Sequence, residues 1–368
     1  MAGITNSAFR RLCREYGAGL YVSEMVTSRG LVEGHPESLA MVRPEAPGGI
    51  TSIQLYGVDP VTIGQAVTLL VQRGWADHID LNMGCPVAKV TRRGGGAALP
   101  WKTDLFTAIV RSAVAAARRA ADERGEAPPA VTVKMRMGID DDHLTYRQAG
   151  LIAAAAGVSW VALHARTAAA MYSPSARWEA IADLVALLSG TGVPVLGNGD
   201  IWSAADARAM MAQTGCAGVV IGRGCLGRPW LFGQLAAALT GTPPPGDPGL
   251  AEVVAIMQRH ALLLCERYGQ DRGCRDFRKH VAWYLKGFEV GSQTRRALGM
   301  VSSLSELADL LGTLPADQPY PVAVVAQPRG RTTPARPVAL PQGWLDTPTL
   351  EQRHAHELQQ AEECASGG

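Results

Sequence analysis

The chain has 368 residues, enough for one large domain or two smaller ones. At 47% hydrophobic and 18% charged it is too apolar for wholesale disorder. Its 35 basic residues nearly cancel its 33 acidic ones, so any nucleic-acid surface must be local rather than a property of the whole chain.

Short apolar runs alternate with amphipathic ones up to about residue 240. Strands are predicted at 20–25, 51–56, 78–83, 131–136, 160–165, 193–198 and 218–222. Helical patterns lie between them, at 60–73, 103–124, 145–156, 177–189 and 203–213. Asp59 before Pro60, and Ser203 with Asp206 three residues on, read as helix starts. Strands apolar almost throughout and separated by helices predict a parallel sheet buried on both faces. Seven are found, and an eighth would close a (β/α)8 TIM barrel.

The stretch 240–249, TGTPPPGDPG, reads as a linker. Residues 250–312 read as a small helical domain with no strand signal. From 313 to 368 the chain is Pro-rich and poor in large apolar residues. A mostly disordered tail is expected there, with a short helix at 348–364. The seven cysteines are odd in number and form no C-x-x-C pair. Neither a disulfide framework nor a metal site is expected, and a reducing cytoplasm suits them. No apolar run reaches the roughly 18 residues of a membrane span.

Nearly every strand ends in a polar residue that a purely apolar strand would not need. In order they are Glu24, Gln54, Asn82 with Cys85, Lys134, His164 with Arg166, Asn198 with Asp200, and Gly222 with Arg223. In a barrel these ends converge on one mouth, where active sites form. Cys85 sits on the turn Asn82-Met83-Gly84-Cys85-Pro86, ahead of the loop Arg92 to Gly96. A lone cysteine is most often a small buried hydrophobe, but this one is on a polar turn at a strand end. With an ordinary pKa near 8.5, its thiol is protonated at neutral pH and can donate a proton. The turns Gly197-Asn198-Gly199-Asp200 and Gly222-Arg223-Gly224 suit a phosphate cradle. Lys134, inside an apolar strand, needs an anionic partner, either a ligand or an interior carboxylate such as Glu24 or Asp80. His164 beside Arg166 is a candidate for gripping phosphate.

Together these pieces resemble the bacterial, FMN-dependent tRNA-dihydrouridine synthases. The matching residues include Met1-Ala2-Gly3-Ile4-Thr5, Ser23-Glu24-Met25, Gln54-Leu55-Tyr56-Gly57, Asp80 to Pro86, Lys134-Met135-Arg136, His164-Ala165-Arg166-Thr167, Asn198-Gly199-Asp200 and Gly222-Arg223. Arg278-Lys279-His280 with Trp283-Tyr284 also fit, and the likeness spans roughly 1–300. The resemblance implies an FMN barrel followed by a helical domain that helps hold tRNA, with NADPH or NADH as reductant. Hydride would go from the flavin to C6 of uracil, and Cys85 would protonate C5. Met1 and Ala2 would lie along the flavin ring. Gln54 and Lys134 would touch the ring, and His164, Asn198, Gly199, Asp200, Gly222 and Arg223 the ribityl chain and phosphate. Asn82 and Arg166 would contact the substrate base.

The grip on tRNA is expected in the helical domain. Between 267 and 296 eight basic residues face three acidic ones, and Arg275, Arg278 and Lys279 are the candidate contacts. A monomer is expected. The resemblance also implies that Met1 stands near the end of the first barrel strand, so that this strand is truncated and the natural protein begins earlier. Two alternatives remain open. One is an FMN barrel acting on a free pyrimidine-like molecule; the other is a non-catalytic flavin- and RNA-binding protein.

Overall fold

The computed structural model describes residues 1–17, 19–44 and 49–363. Seven strands, β1 (Val22–Thr27), β2 (Ser52–Tyr56), β3 (His78–Met83), β4 (Ala130–Arg136), β5 (Val161–His164), β6 (Val195–Asn198) and β7 (Gly218–Val219), form one sheet. All are parallel, and each pairs with its neighbour in the chain. Sequential parallel strands with helices between them are the architecture of a (β/α)8 barrel. The helix Pro60–Gln72 starts where Asp59 accepts the N–H groups of Val61 and Thr62. Ser203 and Asp206 cap Ala204–Thr214 reciprocally.

The strands are less uniformly apolar than expected. Along β2, β3 and β4 one alternating set, Ile53, Leu55, Ile79, Leu81, Val131 and Val133, is buried in the main core. The other set is polar: Ser52, Gln54, His78, Asp80, Asn82, Thr132 and Lys134. The period of two places these polar groups together on one face, where several bond one another.

After the barrel, helices Leu250–Tyr268, Gln270–Tyr284, Ser292–Leu298 and Leu304–Gly312 enclose a second apolar core that includes Leu264, Phe277, Tyr284 and Val301. This core takes in Ala8 and Leu12 from the start of the chain.

The tail corrects the expectation of disorder. Residues 314–351 form a strap, almost without regular structure, that runs back over the barrel. Trp344 is 1% exposed, and its indole N–H donates to the Ala98 carbonyl at 3.0 Å. Lys102 donates to the carbonyls of Thr347 and Thr349. Buried Arg329 donates to the carbonyls of Leu226 and Trp283 and to the Tyr320 hydroxyl. The tail has too few apolar residues to build a core of its own. It borrows the barrel's core instead, and side chains from the body satisfy many of its carbonyls. A helix at Gln352–Glu363 follows, inside the expected interval.

Candidate active site at the barrel mouth

Strand register assembles the site. Gln54 pairs with Asp80, and Asn82 with Lys134. Gln54 Nε2 donates to Asp80 Oδ2 at 2.7 Å, and Asn82 Nδ2 donates to Gln54 Oε1 at 2.8 Å. Asn82 Oδ1 then accepts the N–H groups of Gly84 and Cys85, at 3.2 and 3.0 Å. Deeper in, Thr132 Oγ1 donates to Asp80 Oδ1, and His78 bridges Thr132 and Ser52. A carboxylate only accepts, so Asp80 fixes which way the Gln54 amide faces. Gln54 in turn fixes Asn82, and Asn82 holds the Cys85 turn. Gln54 and Asn82, expected as ring and base contacts, are thus tied into the frame of the turn.

Cys85 is half-buried, and burial raises its thiol pKa against the pull of Arg136 and Lys134. A second clamp, absent from the sequence-derived site, is Arg136. Its Nε donates to the Gly84 carbonyl at 3.0 Å, and its Nη1 to the carbonyls of Thr167 and Met171. It stands two residues after Lys134, so the same strand alternation that selects Lys134 could have found it. Asp80 was visible in the motif only as a counter-charge for Lys134; its role as the anchor of the amide chain was not.

Among the described residues Lys134 Nζ has no hydrogen-bond or ion-pair partner, and neither Glu24 nor Asp80 closes on it. Burial, with Arg136 nearby, lowers its pKa to about 8, while Asp80 and Cys85 oppose the shift. Glu24 accepts instead from the Gly3 N–H, in the turn that holds Met1 and exposed Ala2 at the mouth.

The phosphate side differs from the expectation. Arg166, expected at the base, is engaged within the protein. Its side chain is 4% exposed, both oxygens of Asp200 lie 2.7 Å from its Nη2, and its Nε donates to the Pro174 carbonyl. Asp200 also accepts the Ala176 N–H and stands 3.7 Å from Arg223 Nη2, so it joins the loops after β5, β6 and β7. Arg223 likewise does not point freely at a phosphate. Its Nη1 donates to the Arg331 carbonyl of the strap at 2.7 Å, and its guanidinium lies over the rings of Tyr172 and Trp202. His164 is buried and neutral, its pKa driven well down by burial and by Arg136, Lys134, Arg166 and Arg223. Asn198 donates to the Val220 carbonyl.

What remains for an anion is main chain. Among the described residues the N–H groups of Gly222 and Arg223 donate to no protein acceptor, and a Cβ on Gly222 would meet nothing within 4 Å. Gly199 (φ +130°) leaves no room for a side chain, because its Cβ would lie 2.7 Å from that of Ala176. An ammonium without a partner at one side of the mouth and free amides at the other fit a flavin mononucleotide, cationic toward the ring and dipolar toward the phosphate.

The expected tRNA contacts in the helical domain are engaged locally. Arg275 pairs with Asp271 at 2.5 Å, Lys279 pairs with Asp276, and Arg278 donates to the Val301 carbonyl. Arg295 caps the carbonyls of Leu285, Phe288 and Val290, and Lys286 donates to that of Pro328.

Comparisons with known proteins identify the family. A tRNA-dihydrouridine synthase of Mycobacterium tuberculosis, named as probable, is 53% identical over 355 residues, covering 95% of this chain and 89% of that protein. Its Mycobacterium leprae counterpart is 50% identical and covers 95% of both chains. tRNA-dihydrouridine synthase B of Salmonella typhimurium is 37% identical over 84% of this chain and 92% of its own. The family model "Dihydrouridine synthase (Dus)" matches residues 1–317, and the chain belongs to the dihydrouridine synthase family.

Proposed function

We propose that this chain reduces the C5=C6 bond of uridines in tRNA to 5,6-dihydrouridine, with Cys85 giving the proton to C5. Enzymes of this family use FMN with NADPH as reductant, and the flavin supplies the hydride for C6. Lys134 would hold the polar edge of the ring, and the main chain at 198–200 and 222–223 the ribityl and phosphate end. The observation that carries the reading is the Cys85 turn, held from one side by Asn82 and from the other by Arg136. Its raised pKa keeps the thiol protonated at neutral pH, as a donor requires. The thiolate left after transfer is favoured by the same Arg136 and Lys134 charges. A uridine reaches such a turn only by leaving the RNA stack, so the enzyme must also grip the surrounding RNA.

We place the enzyme in the cytoplasm, where tRNA is modified, and read it as a monomer. The six cysteines among the described residues are free, and no described helix is long and apolar enough to cross a membrane.

The test uses FMN-loaded protein, NADPH and unmodified tRNA transcript. Cys85→Ala should leave flavin reduction by NADPH intact and slow dihydrouridine formation by roughly 10²–10⁴, the usual worth of general acid catalysis. Turnover at the parental rate would remove Cys85 from the chemistry. Reduction of free uridine as fast as tRNA would favour the small-molecule alternative.

A further inference from the structure

The strap follows the rim of the mouth. The Arg331 carbonyl accepts from Arg223, after β7. The Thr333 carbonyl accepts the Tyr172 N–H, and the Arg336 N–H donates to the Ala169 carbonyl, both in the loop after β5. Trp344 then reaches the Ala98 carbonyl, in the segment after β3. Each partner lies beyond the C-terminal end of a strand, on the side where a barrel takes its substrate.

Two side chains of this strap have nothing to do within the molecule. Arg331 and Arg336 are exposed, and among the described residues neither guanidinium has a hydrogen-bond or ion-pair partner. From 318 to 345 the chain contains Arg329, Arg331 and Arg336 and no acidic residue. Their backbone is already held at the rim, so little further ordering is needed when they meet a ligand. The helical domain offers a contrast, because Arg275, Arg278 and Lys279 are already bonded within it. Uncommitted guanidinium groups on a fixed backbone, beside a mouth that admits a polyanion, suit phosphate oxygens.

We propose that residues 328–336 form an RNA-contacting edge of the barrel mouth, with Arg331 and Arg336 engaging phosphates of the tRNA backbone. This rests on the tRNA reading above. The experiment measures binding of unmodified tRNA transcript to the full-length FMN-loaded protein between 50 and 200 mM salt. The variants are Arg331→Gln with Arg336→Gln, and the double charge reversal to Glu. Each phosphate that an arginine neutralises is worth roughly 8-fold in affinity at 0.1 M salt, so the double Gln variant should bind about 60-fold more weakly. Its salt slope should fall by about two, and the Glu variant should bind more weakly still. Flavin content and melting temperature should match the parent, since neither side chain holds anything in the fold. Parental affinity and slope in both variants would overturn the proposal while leaving the tRNA reading intact. A loss of flavin accompanying the binding defect would also overturn it, because the residues would then act through Arg223. Failure of the parental protein itself to bind tRNA would overturn both.

Discussion

Replacing Asp80 with Asn separates orientation from stability. The carboxylate is 5% exposed, and burial raises its pKa to about 6 against hydrogen bonds from Gln54 and Thr132 and the charge of Lys134. The ordinary value is 3.8, so between those pH values the folded state binds a proton that the unfolded state does not. Stability from this group is therefore greatest at low pH and is lost as pH rises through about 6. At pH 7 the ionised group costs ~2–3 kcal/mol, at 1.36 kcal/mol per pKa unit. A neutral Asn avoids that cost. That net figure already includes the attraction of Lys134, but an Asn amide has one acceptor oxygen for the two donors Gln54 and Thr132, which costs something back. Asp80→Asn should thus melt several degrees higher than the parent at pH 7, by ~1–3 kcal/mol, and the gain should vanish toward pH 4.

Function should move the other way. An Asn amide can face Gln54 with its NH₂, which reverses the Gln54 and Asn82 amides and turns an N–H toward the N–H groups of Gly84 and Cys85. Loss of a single orientation for this turn should slow dihydrouridine formation by roughly 10- to 100-fold. NADPH-driven flavin reduction should be less affected. Melting curves across pH 4–8 and single-turnover oxidation of the reduced enzyme by tRNA supply the two readouts. A variant less stable than the parent at pH 7 with an unchanged rate would refute both the cost of the charge and its orienting role.

Lys134 should make flavin affinity pH-dependent: the cationic form binds, so affinity should fall as pH rises past about 8, and Lys134→Met should weaken binding by roughly 10- to 150-fold and flatten that dependence. Fluorescence titration with FMN at pH 6.5–9.5 checks it; a pH-independent parent would contradict the assignment. Trp344→Ala should cost ~3–5 kcal/mol if the strap is part of the folded body, read by denaturant unfolding, whereas a loose tail would show no change.

The alternation of apolar runs and helical patterns was enough to locate six of the seven strands and the five predicted helices between strands to within about two residues, because each is dictated by local periodicity and capping, whereas Ser7–Arg14, Pro36–Val42 and Leu231–Thr240 went unread. Asp59 with Pro60, and Ser203 with Asp206, are local signals that the fold honours. Cys85, Asn82 and Lys134 were also legible, since polar residues in buried strands are few and need a reason. What each polar group bonds was not legible. Arg166 and Asp200 stand 34 residues apart, and only the pairing of β5 with β6 brings them to 2.7 Å. Arg136 looked like one more basic residue until its carbonyl partners at 84, 167 and 171 came together around it.

The tail shows the division most clearly. Composition alone reads 313–368 as disordered, because a segment with so few large apolar residues cannot bury enough surface to offset its own ordering entropy. That inference assumes the segment must fold by itself. Trp344 instead fills a site beside Gly94, whose positive φ and missing side chain leave room for the indole, and the Lys102 ammonium meets the carbonyls of Thr347 and Thr349. Periodicity, caps and interior polar residues are properties of the chain read locally. Ion-pair partners, the orientation of amides and the docking of a strap depend on surfaces that exist only once distant segments have been packed together.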